Sequence, residues 1–160
     1  AYIKQKGLDI VIPRLTRSYG PTMLMSDSKA ISQFIKKGLA GEDIVLKSEG
    51  NQYYSFTYVS DAVSGLLTVL LKGKTGEAYN IADEKSDIRL RDLAKHVAEL
   101  SGTRVVFELS DETEKAGYSM AVTARLCGDK LKQLGWQPEY NIESGIKQTM
   151  TILRDSEQQV

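Results

Sequence analysis

Tyr2 and Lys6 stand four residues apart in the opening stretch AYIKQKG. With that spacing a lysine ammonium can lower the pKa of a tyrosine phenol, which can then act as an acid/base. A second cluster lies in PRLTRSYGP, Pro13 to Pro21. There the Arg17 guanidinium can fork onto a phosphate, and the Thr16 and Ser18 hydroxyls can donate beside it. A Tyr-Gly-Pro turn carrying a surface arginine accounts for the same residues equally well. Arg125 is a further cation suited to a phosphate or a nucleobase, or else an ordinary surface arginine at the start of a helix. The sequence has no Gly-x-Gly-x-x-Gly turn, no Gly-x-x-x-x-Gly-Lys loop and no His/Cys cluster to hold a metal. His96, the only histidine, falls off its helix's apolar stripe and reads as a solvated surface residue. Cys127, the only cysteine, reads as a packing residue.

The elements that must position these residues follow from the apolar pattern. AYIKQKG reads as the last turns of a helix stopped by Gly7. LDIVIPRL reads as a buried strand ended by Pro13, and RSYGPTM as a loop. A helix is predicted over Ser28–Leu39, then a strand at DIVLKSEG and another at QYYSFTYVS. Alternation along the latter sends Tyr54, Phe56 and Tyr58 to one face, a stripe that suits a core. Ser60 is placed to cap the next helix, where Val63, Leu66, Leu67, Leu70 and Leu71 repeat at helical spacing and predict a buried face. EAYNIAD reads as a second buried strand. Leu90, Leu93, Ala94, Val97 and Ala98 then mark a helix ended by Gly102, followed by the strand RVVFEL. SDETEKAGYS reads as a polar loop, Arg125–Leu134 as a short helix, and Asn141 as the cap of a last helix carrying Ile142, Ile146, Met150 and Leu153. The order of elements is mixed α/β, with spacings that allow right-handed parallel crossovers.

Composition bounds the rest. The chain has 160 residues, 41% hydrophobic and 26% charged, enough for one core and a polar surface. Lys+Arg 21 balances Asp+Glu 21, so no general pull toward nucleic acid or an anionic membrane is expected. No apolar run reaches the ~18 residues of a membrane span. A single cysteine suits a reducing cytoplasm.

Four stretches, in order, resemble the extended short-chain dehydrogenases, the NAD-dependent nucleotide-sugar epimerases and dehydratases. Arg14-Leu-Thr-Arg17-Ser-Tyr19-Gly20-Pro21 is similar to the family's Arg-x-x-Asn-x-Tyr-Gly-Pro. Gly50-Asn-Gln52-Tyr-Tyr54-Ser-Phe56-Thr-Tyr58-Val59-Ser-Asp61 is similar to Gly-x-Gln-x-Arg-x-Phe-x-Tyr-Val-x-Asp. Gly76-Glu-Ala-Tyr79-Asn80-Ile81 and Lys130-Leu-Lys-Gln-Leu134-Gly135-Trp136-Gln-Pro138 complete the set. The resemblance covers the carboxyl-terminal half of such an enzyme and implies the carboxyl-terminal part of a Rossmann-type doubly wound sheet plus a small α/β substrate-binding subdomain. Residues 1–21 and 53–83 would belong to the former, 22–52 and 84–154 to the latter, and 155–160 to a tail. The glycine turn for NAD and the catalytic Tyr-x-x-x-Lys would lie upstream, so none of these residues is expected to be catalytic, and Tyr2 falls at a packing position.

Carried over residue by residue, the resemblance implies that Leu15 and Thr16 line the nicotinamide end of NAD. Arg17 and Ser18 would face the substrate. Arg17 stands where the family has an asparagine on the substrate's diphosphate, and Tyr54 where it has an arginine. Arg125 completes the substrate set. The chain is therefore expected to be the substrate-binding half of a cytoplasmic nucleotide-sugar epimerase, dehydratase or decarboxylase, inactive and weak or silent toward NAD by itself. A non-catalytic sugar-nucleotide-binding or interaction domain is the alternative. The full-length parent would be a homodimer. Self-association of this chain is expected to cover the faces that half a sheet leaves open.

Overall fold

A computed structural model describes residues 2–24, 26–108 and 122–157. Helix α1 (Tyr2–Lys6) ends at Gly7, whose φ of 64° no β-carbon opposes. The chain continues through β1 (Ile12–Leu15), β2 (Arg17–Tyr19), α2 (Ala30–Leu39), β3 (Ile44–Leu46) and β4 (Tyr53–Tyr58). Next come α3 (Val59–Lys72), β5 (Ala78–Ile81), a 3-10 turn at Glu84–Ser86, β6 (Asp87–Arg89) and α4 (Leu90–Ser101). The last described elements are β7 (Val105–Phe107), β8 (Thr123–Ala124), α5 (Asp129–Lys132) and α6 (Ile142–Glu157). The class is α/β, as expected.

β1 pairs parallel with β5, and β3 parallel with β7. The third sheet is built on β4. Its one edge holds β6, antiparallel, with Ser55 opposite Asp87. Its other edge holds two short parallel strands end to end. β8 lies along Tyr53 and Tyr54, and β2 takes over at Phe56. Ser55 is the break between them.

Two cores result. The larger packs Tyr54, Phe56 and Tyr58 of β4 against Tyr19, helices α2 and α4, and Ile142, Ile146 and Met150 of α6. The smaller joins Val69, Tyr79, Ile81, Leu131 and Trp136. β4 is buried on both faces, since Ser55 and Thr57 are also below 5% exposure. At the start of α6, Asn141 Oδ1 accepts the Ser144 amide at 2.8 Å and Ser144 Oγ accepts the Asn141 amide at 3.1 Å, the cap the sequence predicts.

Several expectations are corrected. RSY is not loop but β2, because β4 offers it a parallel ladder. Pro13 does not end β1 but lies inside it. Among the described residues β1 has only β5 as neighbour, so a missing N–H is tolerated there. β1 is also not buried: Ile12 and Leu15 are 43% and 48% exposed. The α3 stripe faces outward as well, with Leu70 and Leu71 68% and 78% exposed. Its inward side is the small-residue side, Ala62, Gly65 and Val69. A β-carbon on Gly65 would come within 2.7 Å of Ile81, so the glycine lets the helix lie closer to β5 than leucines could.

Ser60 does not cap α3; Tyr58 holds that position without a side-chain bond. Asp61 instead accepts the Glu139 and Tyr140 amides at 2.9 and 3.0 Å. The helix expected from Arg125 begins only at Asp129, so Arg125 rides on the link from β8 to α5. Asp155–Glu157 belong to α6, not to a tail. β6 and β8 are additions to the elements predicted from sequence, and the loop SDETEKAGYS lies outside the described residues. Among the described residues no helix is long and apolar enough to cross a membrane.

Candidate functional site

The parallel pair β1–β5 presents its carboxyl ends on one side, and there the chain leaves β1, turns at Thr16 and enters β2. Thr57 Oγ1 donates to the Ile81 carbonyl at 3.2 Å, which uses its single hydrogen. Thr16 must therefore donate in its 2.5 Å contact with Thr57. Facing outward, Thr16 Oγ1 offers lone pairs rather than the proton expected from sequence.

The break on the β4 edge opens a cavity of about 310 Å³ lined by Leu15, Thr16, Arg17, Ser55, Ala124, Arg125 and Leu126. Four of the six residues singled out from sequence meet here, from opposite ends of the chain. Arg17 lies over the ring of Tyr54, 3.6 Å from guanidinium carbon to centroid. It also lines a second cavity, of about 180 Å³, with Lys29, Ala30, Ile31, Tyr54, Phe56 and Leu90. Arg17 is thus the wall between the two, and Tyr54 serves both the core and this arginine. Ser18, exposed on β2, lines neither cavity. No carboxylate lines either one, while Arg17, Arg125 and Lys29 do. Lys29 is shared with Asp27 at 3.2 Å.

Nothing in the sequence marks Ser55, Ala124 or Leu126 as cleft residues, or the buried Asp87 behind them. Ser55 Oγ donates to Asp87 Oδ1 at 2.6 Å and accepts the Leu126 amide at 2.9 Å, which fixes the arm carrying Arg125. Asn80, at the end of β5, donates to the Cys127 carbonyl at 2.9 Å. Cys127 itself is exposed rather than packed. His96 is half-buried rather than fully solvated, with Nε2 3.4 Å from the Glu143 carbonyl.

A larger cavity, about 460 Å³, lies between Asp83–Lys85, Lys132 and residues 136–141. Its buried carboxylate, Asp83, is held by Lys132 at 2.7 Å, and that bond is the main reason the lysine's pKa is raised. Asp83 is thus paired within that cavity, whereas the smaller cleft has two arginines and no carboxylate in its lining. Among the described residues no group of three or more His, Cys, Asp or Glu could hold a metal. Tyr2 and Lys6 stand at the wrong end: Ile3 borders Gly76, ahead of the amino end of β5, and Tyr2 is 67% exposed.

The chain is similar to known proteins in sequence and in fold. Residues 1–82 match the model of the NAD dependent epimerase/dehydratase family. The chain is 30% identical to UDP-glucuronic acid decarboxylase 1 of Xenopus tropicalis over 96% of its own length and 35% of that protein's. It is 31% identical to a dTDP-glucose 4,6-dehydratase of Xanthomonas campestris pv. campestris, over 90% of this chain and 42% of the relative. Its fold is similar to that of UDP-glucose 4-epimerase from Thermotoga maritima, solved with UDP-glucose. The TM-score is 0.84 at 24% identity, over 98% of this chain and 49% of the other. The chain thus spans less than half the length of these relatives.

Proposed function

Since this chain belongs to the NAD dependent epimerase/dehydratase family, we propose that it forms the substrate-binding part of a nucleotide-sugar epimerase, dehydratase or decarboxylase. The convergence of Leu15, Thr16, Arg17 and Arg125 on one cavity is the observation that carries this reading. Arg17 and Arg125 bind the diphosphate, with Tyr54 as the surface on which Arg17 rests. Ser18 keeps at most a peripheral role at the mouth. Residues 1–21 and 53–83 form the dinucleotide-domain portion, and 22–52 with 84–154 the substrate portion.

The fit to NAD is partial. Leu15 offers an exposed apolar surface at the end of β1, and Thr16 offers lone pairs beside it, which suits the ring and carboxamide of a nicotinamide. A glycine turn for the pyrophosphate is missing from the sequence. When bound, NAD supplies oxidation at the sugar's C4. These residues orient the sugar nucleotide against it and supply no acid/base of their own. The protein acts in the cytoplasm. Its open apolar surfaces on β1 and α3 are covered by self-association, or by the homodimer of a longer parent.

Calorimetric titration with UDP-glucose tests the site. Arg17→Gln and Arg125→Gln should each weaken binding roughly tenfold or more, the scale of a hydrogen bond to a charged group. Equal affinity in all three proteins would refute the assignment. Incubation with NAD and UDP-glucose should yield no keto sugar from this chain. A binding or interaction domain without turnover is the second reading, favoured by the outward leucines of α3.

A further inference from the structure

Asp87 has no part in the site as assigned, yet its side chain is only 7% exposed and lies behind the cleft. β6 sets it opposite Ser55, and Ser55 Oγ donates to Oδ1 at 2.6 Å. The other carboxylate oxygen, Oδ2, faces Arg125 Nη1 at 3.8 Å. That is attraction between charges without a hydrogen bond. Arg125 is also 4.6 Å from the centroid of the Tyr53 ring, and its side chain is half exposed. The guanidinium is therefore drawn back by a buried anion and a ring while one side stays open to the cleft.

We propose that Asp87 is a positioning residue acting through Arg125: its carboxylate anchors the guanidinium at the cleft wall and competes with the ligand's anionic group for it. This inference rests on the reading of the cleft as a nucleotide-sugar site. A neutral Asp87 leaves Arg125 wholly to the ligand, so binding strengthens when Asp87 takes up a proton.

The surroundings make that proton accessible. Burial is the largest cause pushing the Asp87 carboxyl above the ordinary range. The Ser55 hydrogen bond and Arg125 oppose it, and the Asp83 and Glu84 carboxylates of the adjoining turn add to the rise. Lys132 of α5 neutralises part of that pair, at 2.7 Å from Asp83 and 3.9 Å from Glu84. A nucleotide sugar carries a diphosphate diester, which lacks the second ionisation near pH 6 of a phosphomonoester. The ligand's charge is therefore constant across the range tested.

The experiment is calorimetric titration of UDP-glucose at about pH 5 and about pH 8 into the wild-type protein, Asp87→Asn and Arg125→Gln. Asparagine keeps an acceptor for Ser55 and removes the charge. The wild type should bind more tightly at the lower pH, by up to about threefold, the scale of a half-exposed ion pair. Asp87→Asn should bind with the tighter affinity at both pH values. Arg125→Gln should lose the pH slope although Asp87 is intact, so the test stands even where Asp87→Asn does not fold. An Asp87→Asn protein no tighter than wild type at pH 8 overturns the inference, as does a slope that survives in Arg125→Gln. No binding by the wild type at either pH overturns the nucleotide-sugar reading, and the inference with it.

Discussion

Gly128 touches the end of β5 more closely than any side chain would allow. Its φ of −97° is ordinary for alanine, so Gly128→Ala meets no backbone strain. A β-carbon there would stand 1.9 Å from the Ala82 carbonyl oxygen and 2.9 Å from its carbon. Relief requires a shift of over an ångström. Ala82 is wholly buried, and its neighbour Ile81 is held by the β1 ladder and by Thr57. The movement must come from the Arg125–Lys132 segment. That segment is tied by the Asn80–Cys127 and Ser55–Leu126 hydrogen bonds and by buried Leu131. Overpacking costs about 1–3 kcal/mol, and each lost hydrogen bond about 0.5–1.5 kcal/mol. Alanine returns roughly 0.4–1 kcal/mol by restricting the unfolded chain. The net loss is about 2–4 kcal/mol, read as a fall of ~1–2 M in the urea midpoint at an m-value of about 2 kcal/mol/M. Gly41→Ala is the comparison: φ there is +71° with nothing within 4 Å, so backbone strain of about 1–2 kcal/mol, less the same unfolded-chain return, is the whole cost. Because the moved segment carries Arg125, Gly128→Ala should also weaken UDP-glucose binding, and Gly41→Ala should not. A Gly128→Ala protein as stable as the wild type, or one that binds unchanged, would refute the close-approach argument.

Further outcomes are expected. Asp61→Asn replaces one oxygen facing the Glu139 and Tyr140 amides with an opposing donor, and should cost about 2–4 kcal/mol in urea unfolding; a loss under about 1 kcal/mol would remove Asp61 as the anchor of that loop. The Lys130 hydrogen bond holds the Glu77 carboxyl below its ordinary range, so its contribution is present above the unfolded pKa of ~4.3 and lost as pH falls through the folded value. Lys130→Met should lower the melting temperature near neutrality and leave it unchanged at acid pH, where that contribution is already lost, so that the profile between the two flattens. Leu67→Glu with Leu71→Lys, at positions 52% and 78% exposed, should turn a self-associated protein monomeric in light scattering, with stability altered by no more than about 0.5 kcal/mol; a wild-type monomer at every concentration would refute coverage by self-association.

The sequence made the long elements legible, because periodic apolar spacing survives in α2, α4 and α6 and the caps at Gly102 and Asn141 follow local chemistry. It misread α3, where leucine spacing marks a helix but cannot say which side finds a partner; close approach at Gly65 decided that. β2, β6 and β8 are two or three residues long, too short to alternate, and exist only because β4 lies between them. The site divides the same way. Arg17 and Arg125 could be singled out as cations, but Ser55 and Asp87 become visible only when β6 brings them side by side.

The broken edge of β4 also orders events in time. Arg17 and Arg125 stand more than a hundred positions apart, and the cleft exists only after both β2 and β8 have docked end to end against the same strand. Contacts so distant in sequence carry the largest loop-closure cost and form late. A ligand that needs both arginines ignores every partly folded chain and draws the equilibrium toward the finished one. On that account UDP-glucose would act as a probe of completed folding: its binding during refolding would lag the helical signal by the time the last strand takes to reach Ser55.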